Sequence, residues 1–186
     1  MPPVADPITR FSGKFSFLSN FYKVYVPYTH QVCKTSKICD EKQFHSYPTL
    51  EGAFQAAKTL QPREIKILRT ILDPADAKQF GQKVTLREDW EDVKERIMLH
   101  LLRHKFNPTF YQRLSWKLID TYPRRLCEGN DWGDRYWGCD PMTLEGKNRL
   151  GVLLMQVREE VWYVTQDIYP RKFGLPMRFD AAQGQD

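Results

Sequence analysis

The chain has 186 residues, of which 41% are hydrophobic and 13% aromatic; this composition excludes a disordered protein and predicts a single globular domain. No apolar run is long enough to span a bilayer and no signal-peptide pattern is present, so we expect an intracellular protein, cytoplasmic or nuclear, without a membrane partner. Twenty-eight basic and 23 acidic residues give a mild positive excess, which fits phosphate-bearing ligands without requiring them.

The N-terminal part of the sequence shows short alternating patterns. After an N-terminal arm, residues 1–10, which we expect to be loose, apolar residues alternate in 14–20 (KFSFLSN) and in 21–28 (FYKVYVPY). Period-two alternation predicts strands in both. A polar, irregular stretch at 32–42 predicts a loop, and 43–48 (QFHSYP) predicts one more short strand.

From Thr49 onward the pattern becomes helical. Thr49 is a candidate N-cap for a helix that contains 50–58 (LEGAFQAAK). Helical spacing, proline starts and glycine ends predict five further helices, in 62–72, 73–81, 88–106, 109–122 and 147–164. The predicted fold is therefore α+β and predominantly helical, with a small N-terminal β element. We expect one domain over residues 11–166, as a monomer, and a basic C-terminal tail over 167–186.

The cysteine spacing argues against a structural zinc site. His30 and His45 flank Cys33 and Cys39, which makes a metal site conceivable, but free thiols in a reducing compartment explain the pattern better. The four cysteines are Cys33, Cys39, Cys127 and Cys139. Nothing in the sequence requires a metal or an organic cofactor, so we expect neither.

A long loop, residues 123–146, separates the last two predicted helices; we call it the aromatic loop. Its segment 127–140 reads CEGNDWGDRYWGCD. Loops of this length in compact domains are usually functional, and glycines allow close backbone approach while aromatic rings offer flat faces to a base or sugar. On composition alone, a loop that merely caps the core with its tryptophans is equally well supported.

Two shorter stretches each leave a structural and a functional interpretation open. In LREDW (86–90), Asp89 is a candidate N-cap, but Arg87 before a helix start opposes the helix dipole unless an anion is near, which makes it a candidate phosphate ligand. In LEGAFQAAK, Glu51, Gln55 and Lys58 fall on one side of a helix. That side can form the wall of a polar site, although spacing alone favours a solvent-facing stripe.

Five blocks in a fixed order give the chain a family resemblance. They are FLSNFY (17–22), Glu51 with FQAAK (54–58), LREDW, DRYWG (134–138), and GKNRLG (146–151) followed by Leu154-Met155 and Arg158. From about Phe11 to Glu160 this order resembles the NADAR family, named for its association with NAD and ADP-ribose. The resemblance implies N-glycosidase activity, the cleavage of a bond between a ribose and a nitrogen.

The resemblance also implies site residues, with some departures. By position, Glu51, Trp90 and Asp134 correspond to the family's active-site residues. Gly52 stands where the family often has histidine. The segment before Asp134 is longer than usual, which leaves Asp131 as an alternative acid, although the Tyr-Trp-Gly that follows favours Asp134. The stretch 34–42 resembles an insertion before the glutamate helix.

A hydrolytic mechanism can be written with these residues. Breaking a ribosyl C–N bond builds positive charge on the sugar, which a carboxylate can stabilise while a second group handles the proton. We expect Glu51 and Asp134 to share this work, in an order the sequence leaves open, and Lys58 either to attack the anomeric carbon as an amine or to hold an ion pair. Stacking, hydrogen bonding and phosphate contacts are expected from Asn20, Phe21, Gln55, Arg87, Trp90, Tyr136, Trp137, Gly138, Lys147, Asn148 and Arg149.

The resemblance implies two substrate classes, and a non-enzymatic function is the third hypothesis. The leading hypothesis is removal of ADP-ribose from guanine in nucleic acid, favoured by basic segments at 100–106, 122–126 and 170–178. The runner-up is an N-glycosidase of phosphoribosylamino-pyrimidine intermediates of riboflavin synthesis, which needs only a small phosphate pocket. The third is a non-catalytic module that binds ADP-ribose or nucleic acid; the presence of Glu51, Lys58 and Asp134 argues against it.

Overall fold

The computed structural model describes residues 5–32 and 41–166, and shows one antiparallel strand pair followed by six α-helices. The predicted class, α+β and predominantly helical with a small N-terminal sheet, is confirmed. In chain order the elements are a 3-10 helix (Gly13–Leu18), β1 (Lys23–Val32), β2 (Glu41–Thr49), α1 (Leu50–Ala56), α2 (Pro62–Thr70), α3 (Pro74–Gly81), α4 (Trp90–Lys105), α5 (Gln112–Ile119) and α6 (Arg149–Thr165).

The prediction of a strand at 14–20 is wrong, because this segment forms the 3-10 helix. Gly13, the first residue of this helix, has a φ of +56° and turns the chain there. The neighbours Phe17 and Leu18 are both buried, and the Phe17 ring packs edge-on against Phe106 at 6.4 Å. Burial of two adjacent side chains is incompatible with a strand that has one face on the core. The pattern held only three apolar residues, Phe15, Phe17 and Leu18, which is too short to distinguish a strand from a 3-10 helix.

The other predicted strands form the hairpin. Val26 pairs with Tyr47 in the register of β1 and β2, and both side chains are fully buried. β2 is longer than the predicted segment 43–48. Of the predicted loop 32–42, the ends belong to the two strands, and residues 33–40 lie outside the described part of the chain.

Helix α1 lies at the centre of the domain. The Thr49 hydroxyl accepts a hydrogen bond from the Gly52 N–H at 3.1 Å, so the predicted N-cap is confirmed. Every residue of α1 is buried, and the helix contacts α2, α3, α4 and both strands. Packing on all sides explains how a helix of only seven residues is stable. It also places the polar side chains of α1 inside the molecule.

The last three helices pack in series, and the N-terminal arm docks against the loop that follows α5. α4 packs against α6, and α6 packs against α5. The arm is docked rather than loose over its described part, since Ile8 is 2% exposed and its N–H donates to the Arg125 carbonyl at 2.8 Å. Residues 167–186, the predicted tail, lie outside the described chain.

Smaller predictions also have outcomes in the described chain. Asp89 occupies the N-cap position of α4, but its carboxylate makes no capping hydrogen bond and instead accepts from Arg87. Cys127 and Cys139 are free and buried, while the other two cysteines lie outside the described residues. Within residues 5–32 and 41–166 there is no helix that could cross a membrane and no cluster of three metal-ligating side chains.

Candidate active site

A cavity of about 560 Å³ opens between α1, the start of α4, the segment before β1 and the aromatic loop. It brings together residues that are as far apart in sequence as Asn20 and Trp137. Nine of the predicted site residues line it: Asn20, Phe21, Glu51, Gln55, Lys58, Trp90, Asp134, Tyr136 and Trp137. All three predicted catalytic residues are in this group.

The polar side of α1 faces the cavity and not solvent. Glu51 and Gln55 are only 6% and 4% exposed, and Gln55 Nε2 donates to Glu51 Oε1 at 2.7 Å. Burial raises the pKa of the Glu51 carboxyl above its ordinary value, and this is opposed by the hydrogen bond from Gln55, the charges of Lys78 and Lys58, and a hydrogen bond from Asn20. The donors and cations around Glu51 therefore offset only part of the cost of burying its charge, and its pKa stays raised.

Lys58 follows the end of α1 and points its amine into the same cavity. Its Nζ lies 3.4 Å from the Gly81 carbonyl oxygen and 6.0 Å from the ring centre of Trp90. Burial lowers the pKa of this amine, the Glu51 carboxylate raises it, and Lys78 lowers it again. A partly buried amine with a lowered pKa has a larger neutral, nucleophilic fraction than a surface lysine.

Aromatic rings form one wall of the cavity. The Phe54 ring lies 5.1 Å from Trp90 and 5.3 Å from Trp137, the latter edge-on. Tyr136 packs edge-on against Trp137 at 5.2 Å. These contacts fix the flat faces that a base or sugar would meet.

The aromatic loop places Asp134 in the cavity by a local turn. Its Oδ1 accepts the N–H groups of Tyr136 and Trp137 at 3.0 and 2.9 Å, so the carboxylate also shapes the loop. Asn130, 1% exposed, holds the same turn, since its Oδ1 accepts from Asp134 N and its Nδ2 donates to Asp134 O. Asp131 instead pairs with Arg10 on the surface, outside the cavity.

Glu128 is a cavity residue that was absent from the predicted site. Burial raises the pKa of its carboxyl to about 7, and the charges of Asp134 and Glu51 raise it as well, while those of Lys105 and Lys78 lower it. Its Oε2 is buried and has no hydrogen-bond partner among the residues that the structure describes. In the sequence, only its position in the aromatic loop pointed to Glu128. Its neighbours along the chain form no pattern that would distinguish it from an acid on the surface.

Asn148 positions Glu128 from outside the cavity. It is 1% exposed and has a left-handed backbone with a φ of +48°. Its Oδ1 accepts the Glu128 N–H at 3.0 Å, and its Nδ2 donates to the Leu126 carbonyl at 2.8 Å. Both groups of the side chain are therefore occupied by the backbone that carries Glu128.

The other predicted binding residues that lie outside the cavity also have protein partners. Arg87 pairs with Asp89, and Arg149 forms two hydrogen bonds with Glu95. Gly138 allows a close approach, since a Cβ there would lie 2.3 Å from the Glu128 carbonyl oxygen. The amine of Lys147 lies over the Tyr136 ring at 5.2 Å.

Two lysines that were absent from the predicted site lie at the cavity. Lys78 and Lys94 line it together with Lys58. The Lys78 amine lies 5.2 Å from the ring centre of Trp132, whose side chain is 67% exposed. The Lys94 amine lies 4.0 Å from the ring centre of Tyr136. The cavity therefore combines buried acids with lysines and aromatic rings.

Three buried polar atoms of the cavity wall have no hydrogen-bond partner within the described chain. They are Asn20 Oδ1, Gln55 Oε1 and Glu128 Oε2. Burying such an atom without a partner costs about 1–3 kcal/mol, so native structures rarely keep one without a reason. Three of them around one cavity indicate a site that is built for a polar ligand.

Comparison with known proteins places this architecture in a family. The NADAR domain matches residues 10–162. N-glycosidase YbiA of Escherichia coli is 39% identical over 118 residues, covering 62% of this chain and 71% of that protein. An N-glycosidase of Nostoc punctiforme is 32% identical over 146 residues, covering 76% of this chain and 90% of that protein.

Two further similarities concern the fold and a second activity. The NMR structure of YbiA superposes with a TM-score of 0.67 at 30% identity, covering 89% of this chain and 90% of that one. The riboflavin biosynthesis protein PYRR of Arabidopsis thaliana is 35% identical over 102 residues, 52% of this chain but 16% of that protein. The matched domain, the shared fold and the N-glycosidase relatives lead to one conclusion: this chain belongs to the NADAR domain family.

Proposed function

We propose that this protein is an N-glycosidase that hydrolyses the bond between a ribose and a nitrogen, and that its substrate is ADP-ribosylated guanine in nucleic acid. The observation that carries the proposal is the pair of acids in one aromatic-walled cavity, the buried Glu51 and the partly buried Glu128. Glycosyl hydrolysis needs two groups of this kind, one ionised and one able to give a proton. The names of the YbiA and Nostoc relatives support the same reaction.

The surroundings of the two acids suggest different roles. Burial raises the pKa of both carboxyls, but Glu51 receives a hydrogen bond from Gln55 and lies near two lysines, which partly offset the cost of its charge. We therefore assign to Glu51 the carboxylate that stabilises the sugar cation and takes a proton from water. Among the described residues the Glu128 Oε2 has no donor, and burial raises the pKa of this carboxyl to about 7, which favours a protonated acid. In the proposed step the C–N bond breaks, the Glu128 proton passes to the leaving nitrogen, and water oxygen bonds to the anomeric carbon.

Asp134 and Lys58 keep roles in this mechanism. Asp134 lines the cavity with a carboxylate whose Oδ1 is held by two backbone N–H groups, so it fixes the Tyr136–Trp137 wall and adds negative charge beside the cation. In an alternative step, the Lys58 amine attacks C1 of a ring-opened ribose, the bond from C1 to the base nitrogen breaks as that nitrogen takes the Glu128 proton, and water then hydrolyses the C1–Lys58 Schiff base and restores the amine. Otherwise it compensates the Glu51 charge, as the mutual effects on their pKa values indicate.

The lysines around the cavity support a phosphate-rich substrate. Lys58, Lys78 and Lys94 all line the cavity, and Lys94 is already paired with Glu91, so Lys58 and Lys78 are the cations that a diphosphate would neutralise. The basic segments favoured from sequence give less support in their described parts, because Arg103 pairs with Glu160, Lys105 is fully buried, and Arg124 donates to the Asp6 carbonyl. The segment 170–178 lies outside the described residues.

The riboflavin-intermediate glycosidase remains the second candidate, favoured by the match to PYRR. Both substrates contain a phosphorylated ribose joined to nitrogen, and the cavity volume of about 560 Å³ lies in the range that holds a small ligand. A binding module without turnover would have no need for two acids at this cavity, because burying the Glu51 carboxyl destabilises the fold.

The experiment is mass spectrometry of an oligonucleotide that carries ADP-ribosylated guanine, after incubation with the protein. We expect loss of the ADP-ribose mass with the wild type and no loss with Glu51→Gln, while the exposed-residue control Glu145→Gln behaves as wild type. An unchanged oligonucleotide, with turnover of a phosphoribosylamino-pyrimidine in a parallel reaction, would replace the proposed substrate with the second candidate. No turnover of either substrate would contradict the N-glycosidase assignment.

A further inference from the structure

Two shallow cavities continue from the candidate active site across the surface. The first shares Ser19 and Phe21 with the active-site cavity and has a volume of about 620 Å³. The second, of about 570 Å³, shares Tyr22 and Lys23 with the first. Shared walls join the three cavities in sequence, and we call the two outer ones together the groove.

The groove combines positive charge with aromatic rings. Its charged lining residues are three basic ones, Lys23, Arg113 and Lys117, and one acidic one, Asp120. The three basic side chains are exposed. Phe21, 40% exposed, stands at the junction with the active-site cavity, and Tyr22 lies where the two parts of the groove meet. A basic path interleaved with flat rings suits a phosphate backbone whose bases stack at intervals.

Local contacts hold the start of the groove in place. The buried Lys105 amine donates to the Ser19 carbonyl at 2.6 Å, and the Asn20 carbonyl accepts the Glu51 N–H at 3.0 Å. The segment that separates the groove from the cavity is therefore tied to α4 on one side and to the catalytic helix on the other. A strand bound in the groove would be aligned with the reacting bond.

We propose that the groove binds the single-stranded nucleic acid adjoining the modified guanine, so that only the modified nucleotide enters the active-site cavity. This inference rests on the proposed function. Each part of the groove has the volume of a site for a small ligand, which leaves room for roughly two flanking nucleotides. The mostly basic lining favours a polyanion over an uncharged partner.

The test compares two triple variants that change net charge equally. Lys23→Glu, Arg113→Glu and Lys117→Glu alter the groove; Arg63→Glu, Lys66→Glu and Lys83→Glu alter exposed cations that line none of the three cavities. Fluorescence anisotropy measures the Kd for an unmodified ten-nucleotide single strand at several salt concentrations. We expect the groove variant to lose at least tenfold in affinity and about two units of the log–log salt slope. We expect the control variant to remain near wild type.

A second readout uses turnover. In the wild type, kcat/KM for ADP-ribosylated guanine within the strand should exceed that for ADP-ribosylated guanosine, and the groove variant should lose at least tenfold of this ratio. Three results would refute binding of the strand in the groove. They are equal losses of affinity in both triple variants, no loss of affinity in either, and displacement of the strand by a polyglutamate peptide as readily as by a nucleic-acid strand. A wild type that binds the strand through the groove residues yet never cleaves ADP-ribosylated guanine would refute the proposed substrate and leave the groove standing.

Discussion

Replacing Glu128 with glutamine tests the roles proposed for the two acids of the cavity, Glu51 and Glu128. A carboxyl with a pKa of about 7 is about half protonated at pH 7, whereas one with the ordinary pKa of 4.5 is protonated in only about 0.3% of molecules. Burial therefore increases the fraction of usable acid by roughly two orders of magnitude at neutral pH. Glutamine keeps the size of the side chain but has no proton to give.

The assay is the pH dependence of kcat and KM on the substrate that the wild type turns over. For the wild type we expect kcat/KM to fall above a pH of about 7, where Glu128 loses its proton. Glu128→Gln should lower kcat by about 10²-fold or more, leave KM within a few-fold, and remove that fall at high pH. Glu145→Gln, an exposed change in the same loop, should do none of these. If Glu128→Gln keeps both the wild-type kcat and the high-pH fall, Glu128 is not the proton donor.

Three further predictions test the site and its framework. Gly81→Ala should destabilise the protein by about 1–3 kcal/mol, measured by thermal melting, and should reduce the reaction rate, because the added Cβ would lie 2.1 Å from Gln55 Oε1. The control Gly52→Ala, whose Cβ would lie 3.5 Å from its nearest neighbour, should cause neither change. Equal effects of the two substitutions would contradict this packing. Borohydride added during turnover should label Lys58 by peptide mapping and not label Lys58→Arg; an unlabelled wild type rules out the Schiff base. Burial lowers the pKa of His30 to about 3, so this side chain binds a proton more readily in the unfolded state. The free energy of unfolding should therefore decrease as the pH falls below 6.5, by up to about 1.4 kcal/mol per pH unit. Calorimetry should find this loss reduced in His30→Gln, and an unchanged slope would refute it.

The elements that the sequence predicted correctly are those with long periodic patterns. α4 and α6 have 16 and 17 residues, enough for apolar side chains to recur on one face over several turns. The Thr49 cap was also predictable, because capping depends on one side chain and its next three residues. The 3-10 helix was not, since its conformation depends on where Phe17 packs in the folded domain.

The binding residues divide in the same way. Trp90, Tyr136 and Trp137 line the cavity as predicted, but Arg87 and Arg149 do not. An unpaired arginine and a paired one are identical in sequence, and the partner of Arg149 is Glu95, 54 residues away. Pairing at that separation is decided by tertiary packing. Arg87 instead pairs with Asp89, two residues away, a carboxylate that the sequence argument had assigned to the helix cap.

Family motifs mix residues that touch a ligand with residues that hold others in place. Asn148 belongs to the GKNRLG block, yet both ends of its side chain bind the backbone at Leu126 and Glu128. An aspartate there would lose the donor to the Leu126 carbonyl and bury a charge. A left-handed backbone also favours asparagine over most residues. This position therefore requires asparagine even if the side chain never meets substrate, and its effect on the reaction passes through Glu128.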